Sequence, residues 1–163
     1  MSDAGMSKIV KTISNAVFPF ILIFGLYVIA HGHLTPGGGF QGGAVVASGL
    51  VMILVAYGSA WTMKKIKEKN LSALESVGAL LFIGFAFFGL IFGSAFFLNF
   101  MANTQDFFGI FGATVASGAT SANINTAGVI PIMNFAVGLK VIAGLFAIVL
   151  VMAHATNTKQ EAD

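Results

Sequence analysis

The chain has 163 residues, of which 57% are apolar and 9% charged, with a net charge of +2 and a mean hydropathy of +0.93. A soluble domain carries about a quarter charged residues, so a water-soluble fold could not cover its own surface and the chain belongs in a membrane. Cysteine is absent, which excludes disulfides, zinc–thiolate sites and iron–sulfur clusters ligated by this chain. All eight basic residues are lysines, and they form no concentrated basic face of the kind nucleic acid needs.

Four apolar segments follow in order, at roughly 9–32, 40–63, 71–101 and 129–155. A helix needs about 20 residues to cross about 30 Å of hydrocarbon. The last three segments meet that length, and the first does so if its amphipathic lead-in from Ile9 is helical. The N-terminal stretch carries no cleavable-signal pattern. The expectation is one all-α transmembrane domain of four helices over residues 1–163.

Lysines set the orientation. Lys8 and Lys11 precede the first segment, Lys64, Lys65, Lys67 and Lys69 separate the second from the third, and Lys159 follows the fourth. The connections 31–39 and 102–128 carry neither lysine nor arginine. The positive-inside rule then makes both termini cytoplasmic in a multi-pass protein of the cell membrane.

Between the first two segments, Gly37-x-Gly39-x-x-Gly42 satisfies the dinucleotide-binding fingerprint in letters. The context fails it. A membrane helix precedes it in place of a strand, and no acidic residue lies between Asp3 and Glu68 to hold a ribose. The physical reading is a tight re-entry. Pro36 cannot continue a helix and restricts Thr35 before it, while Gly37, Gly38 and Gly39 permit unusual backbone angles. Their N–H groups also suit an anion or a partner's carbonyl. Gly39 and Gly43, and likewise Gly89 and Gly93, have the four-residue spacing that lets helices approach closely. The phenylalanine-rich third segment reads as lipid- or partner-facing bulk.

The stretch "HGHLTPGGGFQGGAVVAS" resembles the Pro-Gly-Gly-Gly-Phe-x-Gly-Gly signature of the MnhB/MrpB family, subunits of the Mrp (Mnh) sodium/proton antiporters. "FPFILIFGLYVIAHGH" before it, and "NFAVGLKVIAGLFAIVL" with its Gly-x-Lys-Val, extend the resemblance from Phe18 to Leu150. The bacterial signature is often preceded by Asn where this chain has Thr35, and the wording is closer to the archaeal respiratory-complex branch. The resemblance implies a non-catalytic transmembrane subunit without a cofactor of its own, serving Na+ and H+ movement in a hetero-oligomer. Its partners would be other Mrp/Mnh-like membrane subunits and hydrogenase-like redox subunits; a stand-alone antiporter is the alternative. Pro36, Gly37, Gly38, Gly39, Phe40, Gly42 and Gly43 would form a structural motif at a subunit contact.

Charged residues inside the spans mark the candidate ion pathway. Lys140 lies about ten residues into the fourth segment, about 15 Å from its start. A lysine at that depth costs on the order of 3 kcal/mol on insertion scales. It requires a polar interior, a partner carboxylate or a water file, in an ion path or a fixed structural pair. Glu75 has two readings: a capping box with Ser72, or an ion contact near the cytoplasmic surface, displaced in depth from Lys140. His31 and His33 end the first helix as loop anchors or as a proton relay, and make a poor metal site. His154 and the loop acid Asp106 carry no assigned role, while Asn99 and Asn134 suit hydrogen bonds between helices. No nucleophile–base pair or metal cluster suggests an enzyme. A structural adaptor that carries no ions, and a self-sufficient channel of homo-oligomers, are the competing readings.

Overall fold

The hydroxyl of Ser7 accepts the Val10 N–H at 3.5 Å and caps the first helix. Ile9 and the residues after it therefore belong to the span, as its length required. The computed structural model describes residues 5–34, 36–92, 95–101 and 128–162, with side chains of the last helix to position 156. Its helices are α1 (Lys8–Ala30), α2 (Gly38–Tyr57), α3 (Ser59–Lys65), α4 (Glu68–Phe92) and α5 (Ile130–Ala162), with no strand among the described residues. Four of them, α1, α2, α4 and α5, are long and apolar enough to cross a membrane.

Two segment boundaries differ from the sequence expectation. The second segment does not run unbroken to Met63. Gly58, at φ 89° and ψ 159°, donates its N–H to Leu54 O at 2.8 Å and ends α2, and the chain restarts as the short α3. The third does not remain helical to Met101. It stops at Phe92, and residues 95–101 fold back along it, with Phe97 N–H donating to Ala86 O at 3.2 Å. Gly89 permits the return, since a Cβ there would stand 2.7 Å from Leu98 N. The ring of Phe96 packs on Phe87, Phe97 on Phe82, and Phe100 stacks on Phe92. Part of the phenylalanine bulk is thus used within the chain. The loop acid Asp106, Thr35, Gly93 and the Lys159 side chain lie outside the described residues.

The helices pack in the order α1–α2–α5–α4, so α2 and α5 form the centre and α1 and α4 the flanks. Inside lipid, helices gain nothing from hiding apolar side chains from water, and close van der Waals packing holds them together. Near the glycine hairpin that packing is backbone on backbone. Gly39 lies against Asn134 O and Gly138 N, Gly43 against Val141 and Gly138 O, and Gly42 against Gly25 O and Ile29. At the opposite, lysine-bearing end, side chains fill the space: Leu54, Leu71, Phe146 and Leu150 form one buried cluster.

Candidate functional site

The α4–α5 interface carries Glu75 and Lys140, the charged residues that lie furthest from the ends of the described spans. The helices are antiparallel, and Gly78 of α4 meets Lys140 of α5: a Cβ on Gly78 would stand 2.9 Å from Lys140 N and 3.0 Å from its Cβ. One turn towards the lysine-bearing end the roles reverse. A Cβ on Gly144 would stand 3.4 Å from Oε1 and Cδ of Glu75, so the carboxylate lies over a glycine notch. Glu75 is half-buried and Lys140 exposed on the surface of the bundle. Neither forms a hydrogen bond or an ion pair among the described residues.

This geometry corrects two expectations. Ser72 is not a helix cap, because α4 begins at Glu68 and Ser72 lies inside it. Glu75 is accordingly released from capping. Nor is it far from Lys140 in depth: the two stand about one helical turn, roughly 5.4 Å, apart along the interface. The residues that sequence reasoning missed are Gly78 and Gly144. Their signal was the spacing Glu75-x-x-Gly78 and Lys140-x-x-x-Gly144, which places a glycine one turn from each charge.

The glycine hairpin forms a second polar region. Gly37 and Gly38 have φ of 121° and 42°, the backbone angles the re-entry needs. Gly38, Gly39, Gly42 and Gly43 are buried, leaving Pro36, Gly37 and Phe40 exposed. The buried half of the motif is spent on packing within the chain. The side chain of Asn134 of α5 packs against it: its Oδ1 would stand 2.9 Å from a Cβ on Gly38, and its Nδ2 2.9 Å from one on Gly32. Asn134 Nδ2 and both ring nitrogens of His33 are buried without a hydrogen-bond partner. His31 separates from His33 in role, stacking on Tyr27 with ring centroids 4.4 Å apart. Asn99 does cross-link elements, its Oδ1 accepting the Val129 N–H at 2.8 Å where α5 begins. No cluster of three or more His, Asp or Glu side chains suited to a metal occurs among the described residues.

At the other end, the entry to α1 is tied to the exit of α2. Met6 N–H donates to Ala56 O at 2.9 Å, Asn15 Nδ2 donates to Tyr57 Oη at 2.6 Å, and Lys11 Nζ stands 5.4 Å from the Tyr57 ring centre. Trp61 of α3 stacks on that ring. These contacts bring Lys8, Lys11, Lys64 and Lys65 to one end of the bundle.

Residues 9–147 match the family described as a domain related to the MnhB subunit of Na+/H+ antiporter. The chain belongs to this MnhB-related family. A protein of Methanocaldococcus jannaschii is 37% identical over 142 residues, covering 85% of this chain and 49% of that protein. The B-type subunit of the Na(+)/H(+) antiporter of Bacillus subtilis is 33% identical over 88 residues, covering 54% of this chain and 61% of the relative. A chain of the membrane-bound sulfane sulfur reductase, an archaeal respiratory membrane complex, superposes with a TM-score of 0.75 at 29% identity. The match covers 94% of this chain and 60% of that one. This MnhB-related chain therefore spans about half of the Methanocaldococcus relative and about three-fifths of the other two. The hairpin glycines and the Glu75–Lys140 interface all lie within the matched residues.

Proposed function

We propose that this chain is a non-catalytic transmembrane subunit in the antiporter-like module of a multi-subunit respiratory complex, where it serves Na+ and H+ translocation. Both termini are cytoplasmic, and the subunit has no cofactor of its own. The observation that carries the reading is the α4–α5 interface, where Glu75 and Lys140 stand about one turn apart on two facing membrane spans. Gly144 leaves a notch beneath the Glu75 carboxylate, and Gly78 lets α4 approach the backbone of Lys140. Such ionisable groups are costly in hydrocarbon and are kept where ions or protons move. Sodium needs oxygen ligands, and one carboxylate is too few, so a cation site is completed by neighbouring subunits. His31 and His33 stand at the hairpin mouth as the second polar region of the pathway.

The test is the intact complex, purified through a tag on this chain and reconstituted into vesicles. Lys140→Met and Glu75→Gln are each expected to lower Na+ and H+ transport per assembled complex at least about tenfold, a barrier change of about 1.4 kcal/mol. Unchanged transport in both variants ends the pathway reading. The buried glycine signature favours a second reading, a scaffold whose sequence serves packing alone; that reading expects the unchanged result. The composition of the same preparation identifies the redox arm. Nickel–iron hydrogenase-like subunits mark a hydrogenase complex, sulfur-reducing subunits a relative of the sulfane sulfur reductase, and antiporter-like subunits alone a stand-alone exchanger.

A further inference from the structure

Lys140 sits about ten residues, roughly 15 Å, into α5 from the hairpin end, near the middle of the span. Its side chain is exposed on the outside of the bundle. The four-carbon stem of a lysine can lift its charge to the interface only from positions near a helix end, and Lys140 is not one. Glu75 does not neutralise it. That carboxylate lies one turn away over Gly144, and no ion pair forms between the two among the described residues. A water column is no better supported, because the other exposed large side chains of this part of α5 are Phe135, Leu145 and Ile148. A single ammonium on an apolar helix face, at mid-membrane depth, needs an anion brought to it at that depth. Lipid phosphates lie at the interface and cannot supply one.

We propose that the α4–α5 face around Lys140 is the docking surface for a transmembrane helix of a neighbouring subunit that carries an aspartate or glutamate at the depth of Lys140. The inference rests on the reading of the chain as one subunit among several, and names the partner chemistry at the same site. Gly78 fits this role. With no side chain of its own it lets α4 lie against the backbone and Cβ of Lys140, so that no side chain at position 78 covers the exposed lysine. The partner carboxylate is held by charge complementarity in a medium where an unpaired charge is costly.

The experiment treats the intact complex in mild detergent with a membrane-permeant carbodiimide, which joins an amine to a carboxylate only where the two touch. The product is mapped by mass spectrometry. The expected result is an amide between Lys140 and an acidic residue in a membrane span of another subunit, absent from the Lys140→Met complex. That variant is also expected to lose the linked subunit under a detergent challenge that the unaltered complex survives, while Lys140→Arg retains it. A link from Lys140 to Glu75 or another acid of its own chain overturns the proposal. So does the absence of any link together with full subunit retention in Lys140→Met. Recovery of the chain without other subunits would instead defeat the functional reading on which the proposal rests.

Discussion

Glycines 78, 84 and 144 lie in two neighbouring spans and read alike in sequence, yet their surroundings differ. A Cβ at Gly78 would stand 2.8 Å from Ala136 O and 2.9 Å from Lys140 N, so a backbone must yield. Gly78→Ala is therefore expected to push α4 from α5 and to cost about 1–3 kcal/mol. At Gly144 the nearest atoms belong to the Glu75 carboxyl at 3.4 Å, an ordinary contact, and Gly144→Ala is expected to be tolerated. Nothing lies within 4 Å of a Cβ at Gly84, and Gly84→Ala is expected to be neutral or stabilising by up to about 1 kcal/mol through helix propensity. Thermal unfolding of the three variants in one detergent checks the ranking. An equal loss at Gly78 and Gly84 would contradict the α4–α5 contact. At this scale the charges were legible in sequence and their surroundings were not. Lys140 and Glu75 stood out because ionisable residues in apolar segments are rare, whereas exposure and the opposing glycine depend on which face of each helix meets its neighbour.

Helix existence followed from the length of each apolar run, and all four long helices lie where those runs predicted. Helix ends did not follow so directly. Ser72-x-x-Glu75 has the letters of a capping box, but Glu68, Lys69 and Asn70 are already helical and the pattern falls inside α4. The break at Gly58 is equally local in cause and was unmarked in an apolar run that continues to Met63. Its φ of 89° with ψ of 159° is a conformation that only glycine adopts readily. Gly58→Ala is expected to cost about 1–3 kcal/mol, or to straighten α2 into α3 and detach the Tyr57–Trp61 stack. The thermal midpoint reports the first effect and tryptophan fluorescence the second. A variant unchanged in both would show that the break does not depend on glycine at 58.

Across the whole molecule, α1 and α4 flank a central α2–α5 pair, and much of each flanking helix faces outwards. This arrangement leaves long apolar faces for lipid or other subunits and brings lysines from the start of α1 and from residues 64–69 to one end. The orientation assigned to that end is open to a direct test, because the chain has no cysteine of its own. A cysteine placed at Lys67 is expected to react with a membrane-impermeant maleimide only in inverted vesicles, and one at Pro36 only in intact cells. The reverse pattern would turn the topology over. The sequence by itself determined that the chain is helical and membrane-embedded, with four spans and a glycine-rich re-entry, since these depend on composition, run length and backbone permissiveness. Only the tertiary structure decided how the motif glycines divide between α1 and α5, and that Glu75 and Lys140 lie one turn apart across one interface. It also decided that the lysine side chain faces out of the bundle. The physical reason is that helix rotation and register are fixed by side-chain and backbone packing between segments distant in the chain, which no local pattern contains.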